Sequence, residues 1–202
     1  WKRYDPIRRS KGFALNWFFR QFNDKWREQY DACAIFDADN LVDPHYLSVM
    51  NRELNLGNPI VVGYRMGKNP SSSWVAGCCT LFWLMQSRCF LHPRNSIGLP
   101  CLSVGGTGFV FDFKVLSSEN WKTQSVCEDI EFTFNSIAKG YYVAYAPDAI
   151  FYDEQPLLFW QSIKQRYRWS LGSLQCLTFS VPRLINAAQR GSSKVWDAIL
   201  FS

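Results

Sequence analysis

Two carboxylates stand one residue apart at the end of an apolar run, a spacing that suits the binding of a hard cation. Residues 34–36 are Ala-Ile-Phe, and Asp37, Ala38 and Asp39 follow. The run predicts a buried strand, and ligands of open α/β sheets bind at the carboxyl ends of such strands. Two close carboxylates can hold a Mg²⁺ or Mn²⁺ ion whose remaining positions are open to substrate phosphates.

An isolated Asp-x-Asp pair also has a simpler interpretation, a strand that ends in a polar turn. An EF-hand is excluded, because a loop starting at Asp37 would need Gly where Val42 stands and Glu where Ser48 stands. Taken alone, the pair favours the turn. The metal hypothesis therefore depends on acids and cations elsewhere in the chain.

A second pair of acids, Glu128 and Asp129, heads a predicted helix that runs to residue 139 and stops at Gly140. Acids at a helix amino terminus ordinarily offset the helix dipole. Two adjacent acids that enter a helix after a loop are also well placed to supply a general base. Both interpretations stay open.

A basic and aromatic helix is predicted near the carboxyl terminus, where Gln165, Arg168, Trp169 and Gly172 share one face. A helix face buried in a core seldom combines Arg and Gln with Trp, so this face indicates a polar site. Residues 155–202 hold six Lys and Arg against one Asp, whereas the preceding residues hold 16 of each charge. Such an excess suits phosphate groups or an anionic membrane surface.

The remaining pattern is that of a single α/β domain. The 202 residues are 48% hydrophobic, which excludes a disordered chain. Helices are predicted from about Ser10 (with Leu15, Phe18, Phe19, Phe22 and Trp26 as its apolar stripe), over 43–54 and over 74–90, and strands over 60–64, 141–146 and 150–152. Pro182 is expected to interrupt the basic helix, and 184–202 is amphipathic, as an interfacial helix would be.

Cysteine usage and hydropathy exclude other classes. The seven cysteines are scattered without a C-x-x-C pair, which disfavours zinc and thioredoxin-like sites and favours buried thiols in a reducing cytoplasm. The longest apolar run, 74–85, is shorter than the roughly 20 residues of a membrane span. The basic excess is confined to one end and no nucleic-acid-binding motif accompanies it, so nucleic acid is not an expected partner.

The ordered motifs together resemble those of the processive, membrane-associated family 2 glycosyltransferases, such as cellulose, hyaluronan, chitin and poly-N-acetylglucosamine synthases. The matching motifs are Lys11-Gly12-x-Ala14-Leu15-Asn16, Asp37-x-Asp39, Gly106-Thr107-Gly108, Glu128-Asp129, Glu154-x-Pro156 and Gln165-Arg166-x-Arg168-Trp169. The Gln-x-x-Arg-Trp element is the most specific of them. The set covers nearly the whole chain.

The resemblance implies an A-type glycosyltransferase fold, a Rossmann-like mixed sheet flanked by helices. It implies an inverting single displacement at the anomeric carbon of a nucleotide sugar, usually UDP-linked. Asp37 and Asp39 would bind the nucleotide and a Mg²⁺ or Mn²⁺ ion, and Arg168 and Lys11 would contact the nucleotide sugar.

The resemblance also implies an acceptor side. Asp129 would be the general base, and Glu128 would tune its pKa. The acceptor, a polysaccharide or a lipid-linked sugar, would contact the remaining motif residues, Gly106, Thr107, Gly108, Gln165 and Trp169.

In that family, a uracil-binding strand and a further acidic strand end precede the Lys-Gly-x-Ala-Leu-Asn motif. The chain is therefore expected to be a catalytic-domain segment that lacks them. Residues 1–154 would form the catalytic core, and 155–202 the Gln-x-x-Arg-Trp helix and helices at the membrane interface. Flanking segments would attach the protein to the membrane, with this part at the cytoplasmic face.

Two alternatives remain open at the level of sequence. A related enzyme could transfer one sugar to a lipid or another acceptor without extending a chain. A carbohydrate- or membrane-binding module could keep the acids for structural reasons only. Metal-dependent nucleotide binding would separate the enzymes from such a module.

Overall fold

Helices alternate with strands along most of the chain. The computed structural model describes residues 10–21, 28–116, 121–189 and 193–200. The helices are α1 (Lys11–Gln21), α2 (Tyr46–Asn55), α3 (Trp74–Met85), α4 (His92–Ser96), α5 (Glu128–Ala138), α6 (Phe159–Ala188) and α7 (Ser193–Leu200). The strands are β1 (Ala32–Ile35), β2 (Leu41–Val42), β3 (Ile60–Gly67), β4 (Phe109–Asp112) and β5 (Val143–Asp153). A π-helical turn, Gln86–Leu91, joins α3 to α4.

The described strands form one mixed sheet in the order β1-β4-β3-β5-β2. Strand β4 is antiparallel to both of its neighbours, β1 and β3, whereas β3 and β5 are parallel. Strands β1, β3 and β5 therefore run in the same direction. Their carboxyl ends and the amino end of β4 meet at one edge of the sheet, as the predicted mixed α/β fold requires.

Strand β5 is continuous, and the prediction of two strands separated by a turn at Pro147 was wrong. Gly63 pairs with Ala146, and the next residue of β3, Tyr64, pairs with Ile150. The three residues between Ala146 and Ile150 have no partner in β3 and form a bulge, after which the pairing resumes. Turn-forming residues thus mark a bulge here, and the strand continues to the same edge as β1.

Helix α6 is also continuous, although Pro182 was expected to interrupt it. A proline inside a helix removes one backbone N–H and tends to kink the axis. Pro182 is exposed to solvent, and the carbonyl group that loses its partner can be hydrated there. The 30-residue helix therefore spans from the site edge of the sheet to the far end of α5.

Aromatic side chains dominate the larger core cluster. Trp121 is 1% exposed and stacks on Phe132 of α5 with ring centroids 4.3 Å apart. Phe109 and Phe111 of β4 pack against the same tryptophan, and Phe19 of α1 joins them. This cluster fixes α1 and α5 against the sheet. Two members of the predicted α1 stripe, Phe22 and Trp26, lie outside the described residues.

Candidate active site

The sequence-predicted site residues meet at the sheet edge where β1, β3 and β5 end. Asp37 and Asp39 follow β1, and the turn Gly106–Gly108 precedes β4. The same edge receives the amino terminus of α5 with Glu128 and Asp129. The topology therefore gathers motifs that are up to about a hundred residues apart in the chain.

The acid pair after β1 is held by the turn before β4. The backbone N–H of Asp37 donates to Thr107 Oγ1 at 2.9 Å. Lys11 Nζ forms an ion pair with the Asp37 carboxylate and also donates to the Gly106 carbonyl at 2.7 Å. Lys11 thus joins the predicted donor side to the predicted acceptor turn. Asp39 is exposed, and its carboxylate accepts from the amide of the neighbouring Asn40 at 3.3 Å.

A buried polar chain that the sequence did not reveal supports this arrangement. Thr107 Oγ1 donates to Asn40 Oδ1, and Asn40 Nδ2 donates to Asp153 Oδ1 at 2.9 Å. Asp153, at the end of β5, accepts from Arg65 Nε at 3.0 Å and from Gln155 Nε2 at 3.0 Å. This chain of hydrogen bonds connects the ends of β3 and β5 with the loops after β1 and before β4. These hydrogen bonds hold the two strand ends and the two loops in fixed positions relative to one another.

The second acid pair lies beside the same turn. A methyl group placed on Gly106 would lie 3.6 Å from Asp129 Oδ2, and Ser103 Oγ lies 3.5 Å from that oxygen. Burial raises the pKa of Asp129, and burial together with the Asp129 charge raises the pKa of Glu128 to about 7. The Asp129 residue is only half-buried, so a substrate hydroxyl group can reach its carboxylate. A carboxylate of raised pKa at a ligand-accessible edge is suited to accept a proton.

A buried carboxylate holds the loop that precedes α5. Glu131 is 1% exposed, and one of its carboxylate oxygens accepts from the backbone N–H groups of Gln124 and Ser125, both at 2.8 Å. These bonds satisfy donors that would otherwise be buried without a partner. The first turn of α5 is thereby held in place, and Asp129 with it.

A pocket of about 660 Å³ separates Asp39 from the amino-terminal half of α6. Gln165, Lys164 and Arg168 of α6 line the pocket opposite Asp39. Neither Lys164 nor Arg168 forms an ion pair within the described part of the chain. The other lining residues are Glu154, Gln155, Pro156, Leu157 and Gln161. The volume suits a nucleotide-sized ligand, and the unpaired cations suit an anionic one.

Helix α6 approaches the first turn of α5 so closely that only glycine fits at the crossing. A methyl group on Gly172 would overlap Cys127 Sγ and lie 2.8 Å from the Cys127 backbone nitrogen. One turn earlier, the Trp169 ring meets Trp83 of α3 edge-to-face, with centroids 5.7 Å apart. Arg168 and Trp169 are therefore set at a fixed distance from Asp129. The residues predicted to share one face of α6 therefore have different surroundings. Gln165 and Arg168 line the pocket, whereas Trp169 packs beside it.

Substitution of Gly108 should strongly destabilise the turn before β4. Gly108 has φ +64°, and a methyl group there would overlap the buried ring of Phe151. Gly108→Ala combines left-handed strain with overpacking and should lower the unfolding free energy by about 2–5 kcal/mol. Gly105→Ala is the matched control, because Gly105 has φ +70° with nothing within 4 Å of the added methyl group.

Denaturation of both variants, followed by tryptophan fluorescence, checks this expectation. The Gly105 variant should lose only the ~1–2 kcal/mol of left-handed strain. Equal stability of the two variants would contradict the proposed overlap with Phe151.

The residues present fit a divalent cation bound together with a substrate. The described part of the chain contains no group of three or more His, Cys, Asp or Glu side chains arranged to hold a metal by themselves. Mg²⁺ in phosphate-transfer sites commonly uses one or two carboxylates plus phosphate oxygens and water. Asp39, with Asp37 beside it, supplies such a partial set at the mouth of the cationic pocket.

Exposed acids, a carboxylate of raised pKa and a cationic helix meet at one edge of the mixed sheet, an arrangement suited to transfer of a group from a phosphorylated donor. Residues 33–201 match the family model described as glycosyl transferase family group 2, and the chain belongs to that family. It is also similar to the probable glycosyltransferase YdaM of Bacillus subtilis (strain 168), with 25% identity over 169 residues. The match covers 82% of this chain and 38% of that relative.

Proposed function

We propose that this glycosyltransferase transfers a sugar from a UDP-sugar to a growing polysaccharide, with inversion at the anomeric carbon. The observation that supports this proposal most is the pocket between Asp39 and Arg168, at the same sheet edge as Asp129. A nucleoside diphosphate needs cations for its phosphates, and an acceptor hydroxyl group needs a base nearby. Both occur here on elements that pack against each other.

On the donor side, Asp39 and Asp37 would hold a divalent cation against the diphosphate. When bound, this cation neutralises negative charge on the leaving diphosphate. Arg168 and Lys164, one helical turn apart, donate to the phosphate oxygens from the opposite wall. Lys11 keeps Asp37 oriented through their ion pair.

On the acceptor side, a hydroxyl oxygen attacks the anomeric carbon while the bond from this carbon to the diphosphate oxygen breaks. The hydroxyl proton passes to the Asp129 carboxylate, and UDP leaves with the electron pair of the broken bond. Attack opposite to the leaving group inverts the anomeric configuration. The turn Gly106–Gly108 and Trp169 lie beside Asp129 and its helix, where they would contact the acceptor sugar.

Transfer should decline as the pH falls through the raised pKa of Asp129. Burial raises the pKa of Asp129, and the base must be ionised to take a proton. Activity is therefore lost at a higher pH than it would be with an exposed Asp as the base, whose pKa is about 4. A profile of kcat against pH with saturating donor, acceptor and metal checks this. An acidic limb near the value of an exposed Asp would contradict it.

The test of the proposed function uses the full-length protein and a panel of labelled nucleotide sugars, with and without Mn²⁺ or Mg²⁺. Metal-dependent formation of a long product from one UDP-sugar is the expected result. Addition of only one sugar per acceptor would show that the protein is a non-processive transferase and not a polysaccharide synthase. Absence of both turnover and metal-dependent nucleotide binding would contradict the proposal.

We also propose that the domain lies at the cytoplasmic face of the cell membrane. A row of exposed apolar side chains follows one side of α6. The row comprises Trp160, Ile163, Tyr167, Leu171 and Leu174. Exposed aromatic and aliphatic side chains along one side of a helix suit the interfacial region of a bilayer. Within the described residues, no helix is long and apolar enough to span a membrane.

Cysteine labelling tests this location. Asp148 lies on the exposed bulge of β5 with 71% of its side chain accessible. A membrane-impermeant maleimide should label an Asp148→Cys variant in inside-out vesicles and not in intact cells, with the unsubstituted protein as background. Labelling in intact cells would contradict a cytoplasmic location.

A further inference from the structure

We infer that Arg65, which no motif includes, is a positioning residue for sugar transfer: it joins the loop before the turn Gly106–Gly108 to Trp83, on which the Trp169 ring packs, beside the base Asp129. Arg65 lies in β3, two residues before its carboxyl end. The inference rests on the proposed function, since it assigns a role within the same sugar transfer. Its support comes from three contacts of one guanidinium group and from one electrostatic interaction.

The first contact joins Arg65 to the buried polar chain. Nε donates to Asp153 Oδ2 at 3.0 Å, and Nη2 donates to the same oxygen. The Arg65 side chain is 13% exposed and that of Asp153 is 7% exposed. A pair this well buried is shielded from solvent, and removal of one partner leaves the other charge uncompensated. Through Asn40 and Thr107 this pair reaches the backbone of Asp37.

The second and third contacts lead to the acceptor side. Nη1 donates to the Gly105 carbonyl at 3.1 Å, directly beside the Gly106 carbonyl that Lys11 holds. The guanidinium carbon lies 3.9 Å from the centroid of the Trp83 ring, and Trp83 meets Trp169. A planar guanidinium group can stack and donate in its plane at the same time, which a lysine ammonium group cannot do.

The fourth interaction is electrostatic and acts on Asp129. The positive charges of Arg65 and Lys11 both favour its ionised form and partly offset the effect of burial. The other titratable groups that interact with Asp129 are Glu128, whose pKa burial raises to about 7, and the Cys127 and Cys176 thiols, which are neutral at physiological pH because burial raises their pKa values. Arg65 therefore contributes both to the position of the acceptor turn and to the charge state of the base.

Two substitutions separate these contributions in the full-length protein. Arg65→Met removes the charge and the hydrogen bonds, so kcat should fall at neutral pH and the acidic limb of its pH profile should move to higher pH. Arg65→Lys keeps the charge, so the limb should stay near its wild-type position. Both variants should raise the acceptor KM by about tenfold or more, because the Gly105 carbonyl and Trp83 are no longer held together.

Arg52→Met is the matched control, since it removes an arginine from an exposed ion pair on α2. It should leave the pH profile and the acceptor KM unchanged. If both Arg65→Lys and Arg65→Met keep the wild-type acceptor KM and the wild-type acidic limb of the kcat profile, the inference is overturned. If Arg65→Met does not fold, an unchanged acceptor KM in Arg65→Lys overturns it alone. An inactive wild type would overturn the proposed function and, with it, this inference.

Discussion

Asp129→Asn should abolish sugar transfer and leave donor binding nearly unchanged. Asparagine has almost the same shape as aspartate but cannot accept the proton of the acceptor hydroxyl group. Loss of a general base typically lowers kcat by about 10²–10⁴-fold. Binding of UDP should persist, because the pocket is lined by Asp39 and Arg168 and does not include Asp129.

Two variants complete this measurement. Asp112→Asn is the matched control, because Asp112 ends β4 at the opposite edge of the sheet. Glu128→Gln should keep most of the activity, because the proposed base, Asp129, is unchanged. Near-complete loss of activity in Glu128→Gln together with an active Asp129→Asn would reverse the two roles. Loss of UDP binding by a folded Asp129→Asn would contradict the assignment of Asp129 as a base only.

The sequence predicted those parts of the site that depend on local patterns. Strand β1 and the acids after it follow from an apolar run that ends in two carboxylates, and α5 ends at Ala138, one residue before the predicted end and two before the predicted stop, Gly140. Gln165 and Arg168 were placed on one face of α6 by spacing alone, and both line the pocket. Local periodicity determines which side chains share a face, so it was sufficient here.

The supporting contacts could not be predicted in the same way because they depend on which strands are neighbours. Arg65 lies in an apolar strand and Asp153 at the end of another, 88 residues later. Only the parallel pairing of β3 with β5 brings the two charges together, in the register that pairs Arg65 with Phe151. An arginine in a hydrophobic strand was the available signal, since a buried charge requires a partner.

Lys11 illustrates the same limit. The motif indicated a residue close to the nucleotide, and the structure places Lys11 Nζ between the Asp37 carboxylate and the Gly106 carbonyl. Its partners come from two loops whose contact depends on the antiparallel pairing of β1 with β4. A contact with the nucleotide itself stays a prediction. Spacing in sequence can identify a motif, but the partners of each side chain follow from the topology of the sheet.

Arg168→Ala should weaken binding of UDP by about tenfold to a hundredfold, which corresponds to ~1.5–3 kcal/mol for hydrogen bonds to a charged group. Arg168 faces Asp39 across the pocket and has no ion-pair partner within the described residues, so its charge is available to a diphosphate. Arg168→Lys should restore part of the affinity, because it keeps the charge but loses the two-pronged geometry. Calorimetric titration with UDP in the presence of Mn²⁺ measures the change.

The matched control for Arg168 lies on the same helix. Arg166→Ala removes the same charge two residues away, but the Arg166 guanidinium group lies 5.0 Å from the Phe82 ring centroid, against α3, and does not line the pocket. It should leave UDP affinity unchanged. The Arg168→Ala substitution should weaken the binding of UMP, which lacks the second phosphate, less than the binding of UDP. Equal losses in the two variants would indicate a general charge effect, and unchanged UDP affinity in a folded Arg168→Ala would remove Arg168 from the donor site.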